Sequence, residues 1–252
     1  MERHRYGPGR SEFGELALPA TGDGPFPVCV LLHGGFWKIQ YGRKLMHRLA
    51  VDLTARGWAV WNLEYRRLGM SGGGGFPETL DDVAAGIDHL RELADGAVAA
   101  AGHGHPHLDL SRVVAVGHSA GGHLAAWAAT RRDARVPVTT VISQAGVLDL
   151  ELAWELRLSN GIVRRLLGGT PEEVPERYAA ASPAAQVPLG VPTLLVHGGR
   201  DEVVPPVMSE RFAERARAAG DAVDLVVVPE EEHMGHLDPA NDLWRAALAW
   251  LG

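Results

Sequence analysis

The chain has 252 residues, of which 46% are hydrophobic and 22% charged, ordinary values for a globular protein with one core. Its net charge of −7 and lack of any long basic block exclude a phosphate-tracking surface, so no nucleic-acid partner is expected. The single cysteine, Cys29, rules out an internal disulfide, and no apolar run approaches the ~18 residues of a membrane span. The first residues lack the apolar stretch of a signal peptide, which makes a cytoplasmic location the default expectation.

Residues 1–12 are polar and rich in Gly and Pro and read as a loose arm, followed by an early strand over Phe13 to Leu18. Val28 to Leu32 is a continuous apolar run bounded by turn residues, the pattern of a strand buried on both faces; Cys29 within it reads as a small buried hydrophobe. The run ends in His33-Gly34-Gly35-Phe36-Trp37, where a glycine pair lets backbone N–H groups face a ligand. The alternative is an ordinary tight turn. Apolar residues at helical spacing from Arg43 to Arg56, with Gly57 as C-cap, predict a helix, and Trp58 to Leu63 a strand. That strand leaves into a loop with glycines at 72 to 75, which a Glu64–Arg66 charge pair is expected to fix. Pro77 to Leu93 reads as one helix, with acidic residues in its first turn. His103, His105 and His107 alternate in a Gly/Pro-rich loop with no carboxylate or cysteine cluster, and read as adventitious; no metal site is expected.

The chain is organised around the next stretch, Val113-Val114-Ala115-Val116-Gly117-His118-Ser119-Ala120-Gly121. A β-branched run, a Gly-x-Ser-x-Gly turn and an Ala-rich helical pattern make up the strand, turn and helix of a nucleophile elbow, with Ser119 Oγ standing exposed at a helix N-terminus. A serine hydroxyl is a weak nucleophile and needs a base, and the base needs an orienting carboxylate. Both arrive later. Val138 to Ile142 is a strand, and residues 150–182 read as a small helical insertion over the active site within a single domain spanning residues 1–252. Trp154 within it is a candidate pocket wall or plain insertion core. Pro192 to Val196 is a buried strand opening into the loop that carries Asp201, the candidate acid. A helix over Pro205 to Ala219 and a last strand over Ala222 to Val228 lead to Pro229-Glu230-Glu231-Glu232-His233-Met234-Gly235-His236. His233, closer to the strand end, is the chosen base, with His236 in reserve. Asn241 to Leu251 is a terminal amphipathic helix.

The chain order Ser119, Asp201, His233 behind a Gly-rich loop resembles the α/β-hydrolase superfamily from about residue 13 to 251. Gly-His-Ser-Ala-Gly-Gly-His-Leu-Ala and His-Gly-Gly-Phe-Trp are similar to carboxylesterases with a His-Gly-Gly loop and to kynurenine formamidase (arylformamidase). Ala181-Ser182-Pro183 and the Leu195 to Pro205 run also look like the catalytic domain of prolyl-oligopeptidase-type peptidases. The resemblance implies an α/β fold with a mostly parallel central sheet and helices on both faces.

The expected function is hydrolysis of small or aryl carboxylic esters through an acyl-enzyme. Ser119, Asp201 and His233 would be catalytic. Gly34, Gly35 and Ala120 would supply the oxyanion hole, and Phe36, Trp37, His118 and Trp154 would be candidate pocket residues. The alternatives are an arylformamidase-type amidase, a prolyl-oligopeptidase-like peptidase, and a ligand-binding protein without turnover. The chemistry requires no cofactor. A small-molecule ester or amide is the expected partner, and the sequence leaves the oligomeric state open, a homodimer included.

Overall fold

The computed structural model describes residues 1–96 and 107–252. Among these residues, eight strands form one sheet in the order β1-β2-β4-β3-β5-β6-β7-β8. The strands β3 (Phe26–Leu32), β4 (Ala59–Leu63), β5 (Leu108–His118), β6 (Thr140–Gln144), β7 (Thr193–Gly198) and β8 (Val223–Val228) are all parallel, while β1 (Glu2–Arg5) and β2 (Phe13–Ala17) add an antiparallel edge. This is the mostly parallel α/β sheet expected from the sequence.

Period-two alternation sends successive side chains to opposite faces, so the apolar runs supply two cores at once. Val28, Val30 and Leu32 of β3, with Val113 and Ala115 of β5, face one side. There they meet α2 (Glu78–Asp88), α4 (Ala120–Ala129) and α8 (Val207–Ala218) through Leu80, Val83, Leu124 and Phe212. Cys29 and Leu31, with Val114 and Val116, face α1 (His47–Ala55) and α9 (Asp242–Leu251) through Leu53, Trp244 and Ala247. Cys29 is fully buried, and burial pushes its thiol pKa up, so it is the small hydrophobe its context indicates.

Three readings are corrected. The first residues are not a loose arm: β1 pairs with β2 in register from Glu2↔Leu16 to Arg5↔Phe13, and His4 is buried with its ring 6.3 Å from Trp61. The helix read from Pro77 to Leu93 is α2 followed by α3 (Leu90–Ala94), divided at His89. Glu64 pairs with Arg67 at 3.3 Å, whereas Arg66 turns to Asp82 at 2.6 Å. His103 and His105 lie outside the described residues; His107 is exposed and its ring donates to the Asp23 carbonyl at 2.7 Å.

Between β6 and β7 stand α5 (Leu150–Glu155), α6 (Leu158–Leu167) and α7 (Pro175–Ala181). Asp149 caps α5, accepting from the N–H groups of Glu151 and Leu152. The first turn of α6 is left-handed: Arg157, Ser159 and Asn160 all have positive φ, and regular helix begins at Ile162. This segment starts at the carboxyl end of β6 and reaches the loops after β3 and β4, through Lys38 Nζ to Ser159 Oγ (2.7 Å) and Phe76 N to Leu166 O (2.8 Å). Since β5 lies between β3 and β6, the segment crosses the end of the sheet where β5 terminates. Among the described residues, no helix is long and apolar enough to cross a membrane.

Candidate active site

β5 ends at His118 and α4 begins at Ala120, leaving a single residue to reverse the chain. Ser119 makes that turn with φ 57° and ψ −121°, a region that a side chain with a Cβ rarely occupies. Its backbone is pinned on both sides, by Ser119 N to Gln144 O (2.7 Å) and His123 N to Ser119 O (3.2 Å). The turn works only because Gly117 and Gly121 approach each other: a Cβ on Gly117 would land on the Gly121 carbonyl, and one on Gly121 would land on the Leu32 carbonyl. Ser119 is only 1% exposed, not open as the sequence reading has it. The loop after β3 closes in on it, bringing Gly34 to where an added Cβ would lie 3.0 Å from Ser119 Cβ and 2.8 Å from His118 O.

Asp201 and His233 are brought together although 32 residues apart. His233 Nδ1 donates to Asp201 Oδ2 at 2.6 Å, and both residues are buried. The other carboxylate oxygen accepts from the N–H groups of Val203 (2.9 Å) and Val204 (2.8 Å). Burial raises the Asp201 pKa, but the hydrogen bonds from His197 and His233, the His233 charge and the Val204 N–H outweigh it and hold the carboxyl far below the usual range. His197 is a support that the sequence reading does not assign. Its Nδ1 accepts from Ser209 Oγ (2.7 Å), and its Nε2 donates to Val204 O (2.8 Å) while lying 3.4 Å from Asp201 Oδ2. The only advance sign of it is its place in the Leu-Val-His-Gly run.

His236 is fully buried, and neither ring nitrogen has a hydrogen-bond partner among the described residues. Burial, with the neighbouring histidine charges, drives its pKa well down and keeps it neutral. Asp201 is therefore paired with His233 and not with His236. His118 lies between the two: its ring is 4.6 Å from that of His233 and 5.6 Å from that of His236. Its Nε2 donates to the His233 main-chain O at 2.9 Å, and burial, with the His233 charge, pushes its pKa down to about 3.

The glycine loop rests on a rigid base. His33 donates through Nε2 to Glu64 Oε1 at 2.9 Å and stacks on Tyr65 at 4.3 Å, and the Tyr65 hydroxyl donates to the His33 carbonyl at 2.6 Å. Burial raises the Glu64 pKa, but His33, Arg67 and the Arg43 N–H outweigh it and hold it below its ordinary value. Gly35 has φ +105°, and an added Cβ would run into the Tyr41 side chain. Ala120 opens α4, so its N–H has no carbonyl within the helix to meet.

The four candidate pocket residues are placed differently. Phe36 is half-buried, beside Lys38. Trp37 is wholly buried, edge-on to His123 at 5.2 Å, and belongs to the core. His118 is buried with its ring 4.6 Å from that of His233, on the Val114 and Val116 face of β5 by strand alternation. Trp154 is half-buried and lines a solvent-facing groove of ≈ 480 Å³ with Arg157, Asn160, Arg164 and Arg165. A cavity of ≈ 550 Å³ opens on Asp201 and His233, where Val203 and Met234 add exposed apolar surface beside His233. Those two walls are not foreseen, since only their place around the pair marks them.

Residues 15–216 match the BD-FAE family model. The chain is 29% identical over 211 residues to Esterase LipC of Mycobacterium tuberculosis, covering 77% of this chain and 49% of LipC, so it spans about half the length of that relative. It is 31% identical over 193 residues to the protein named Uncharacterized peptidase YtmA of Bacillus subtilis, covering 76% of this chain and 69% of YtmA. Among solved structures it is similar to a bacterial heroin esterase, with a TM-score of 0.77 and 25% identity over 95% of this chain and 77% of that one.

Proposed function

This chain belongs to the BD-FAE family of α/β-hydrolase-fold esterases, and we propose that it is a serine hydrolase that cleaves small or aryl carboxylic esters through an acyl-enzyme. The observation that carries the reading is the buried 2.6 Å His233–Asp201 hydrogen bond, on a loop tied to the segment holding the strained Ser119 turn.

The steps use only this chain's groups. His233 Nε2 takes the Ser119 hydroxyl proton as Oγ bonds to the ester carbonyl carbon. Asp201 keeps the His233 proton on Nδ1 and stabilises the imidazolium. The N–H groups of Ala120 and of Gly34 or Gly35 bind the negative oxygen, at a site where loss of one donor typically costs roughly 10²–10³ in rate. The imidazolium gives its proton to the departing alkoxide as the C–O bond breaks. Water then attacks the acyl carbon with His233 again as base, releasing the acid and restoring Ser119. The segment over residues 150–182 covers the site and sets substrate size. Val203 and Met234 offer an apolar wall for an aryl group.

Hydrolysis of an amide by the same groups is the second reading, favoured by the identity to a protein named a peptidase. Initial rates on short p-nitrophenyl esters, on N-formylkynurenine and on a prolyl p-nitroanilide, with Ser119→Ala alongside, separate the readings. Ester turnover that disappears in the variant supports the esterase; preference for formamide or anilide moves the assignment to an amidase or a peptidase. Equal rates in wild type and variant overturn both.

A further inference from the structure

Ser119 and His233 lie 114 residues apart in the sequence, and among the described residues no backbone hydrogen bond joins them directly. The His118 side chain links them. It directly precedes the nucleophile, so it moves with the elbow, and its Nε2 lies 2.9 Å from the His233 main-chain O. A carbonyl oxygen only accepts, so the proton of His118 sits on Nε2 and Nδ1 is bare. The ring is held on its other sides too. Nδ1 lies 3.0 Å from where a Cβ on Gly34 would be, and the His236 ring packs at 5.6 Å. The imidazole is thus wedged between the elbow, the base loop and the glycine loop.

We propose that His118 is a positioning residue that holds the general base in reach of Ser119 through the His233 main-chain carbonyl. This deepens the esterase reading and rests on it. The residue touches neither substrate nor the reacting atoms. Its effect is on distance: proton transfer needs Ser119 Oγ and His233 Nε2 at about 2.6–3.2 Å, and a misplacement of about 1 Å can cost 10²-fold. The groups facing His118 are His233, His236, His197 and Asp201. Of these, the one that gains a proton during turnover is His233. Burial keeps His118 uncharged, so it does not repel that imidazolium.

The test uses the full chain with His118→Leu, which fills space without a donor, and His118→Gln, whose amide nitrogen reaches about as far as Nε2. Turnover of p-nitrophenyl acetate is normalised to the sites titrated by a fluorophosphonate, and kcat and KM are read separately. The expected result is a ten- to hundredfold loss of kcat per titrated site in His118→Leu with KM within about threefold, and recovery of most of it in His118→Gln. A kcat per titrated site in His118→Leu within twofold of wild type overturns the proposal, because only folding would then have changed. A Gln variant no better than Leu also overturns it. Should His118→Leu not fold, His118→Asn serves instead: its amide falls short of the carbonyl, so it must be the slow member of a Gln/Asn pair, and equal rates overturn the proposal. Wild-type protein without Ser119-dependent turnover would sink the esterase reading itself, a different outcome from wild-type turnover that His118→Leu retains.

Discussion

Lys38 Nζ donates to Ser159 Oγ at 2.7 Å, joining the loop that follows Gly34 and Gly35 to the left-handed turn that opens α6. The two loops leave strands on either side of β5, so this bond spans the end of the strand that carries Ser119. It is partly exposed and worth about 1 kcal/mol. Lys38→Met is therefore expected to lower the melting temperature by only a few degrees. It should loosen the segment over residues 150–182 and, if that segment bounds the acyl pocket, raise KM for p-nitrophenyl butyrate several-fold while kcat on the acetate stays within twofold. Unchanged KM values for esters of every size would show that the segment does not bound the acyl pocket.

The separation of His233 from His236 rests on a carboxylate partner, and that can be tested in solution. Asp201→Asn preserves shape but offers an amide where His233 Nδ1–H needs an acceptor. The ring then takes the wrong tautomer, and kcat should fall by about 10⁴-fold with little change in KM. His236→Phe keeps the buried volume and should leave turnover within a few-fold, because His236 has no hydrogen-bond partner among the described residues. The reverse pattern would make His236 the base.

Much of this arrangement is legible in the sequence, because strand, elbow and loop signals are local. Val113 to Gly121 announces its own turn, and the apolar runs at β3, β5 and β7 specify strands buried on both faces. What local patterning does not hold is partnership across the chain. Glu64 and Arg66 are close in sequence, yet Glu64 meets Arg67 and Arg66 meets Asp82, because successive residues leaving β4 diverge. Glu2 to Arg5 is polar enough to resemble a tail, and becomes a strand because β2 offers an unpaired edge and Trp61 lies near the His4 ring. His118 and Trp37 look like pocket residues by adjacency alone. Pleat direction turns the first against the His233 ring, and a positive φ of 54° at Trp37 places the second in the core.

Gly34 and Gly35 should respond differently to a methyl group. At Gly34 an added Cβ meets His118 O and Ser119 Cβ at 2.8 and 3.0 Å, so Gly34→Ala presses on the space where the oxyanion would form. Its kcat is expected to drop by about 10²-fold or more, approaching the loss of one oxyanion donor. At Gly35 the added methyl strikes Tyr41, on a backbone with φ +105°. Gly35→Ala should cost at least about 1–3 kcal/mol of stability, read by urea denaturation, and lose activity through loop displacement. An active, stable Gly35→Ala would remove this loop from the site.

Stability should fall on the acid side of neutrality, and the cause is buried histidine. His118 and His123 are held neutral by burial, with pKa pushed down to about 3 and about 4, and burial with neighbouring charge drives His236 well down. In the unfolded chain each would titrate near 6.5. Below that pH the unfolded state binds more protons than the native state, so unfolding becomes more favourable as pH drops; for His118 and His123 the loss is about 1 kcal/mol each per pH unit between about 6 and 4.5. Asp201 adds to the loss only at lower pH, once its unfolded-state carboxyl begins to protonate near 3.9. Melting temperature should thus be flat from about pH 7 to 8 and fall steeply from pH 6 to 4.5. His236→Phe removes one of these sites and should make that slope shallower. A slope that His236→Phe leaves unchanged would mean that the imidazole is protonated in the native state and is not the neutral, buried packing group seen beside His118.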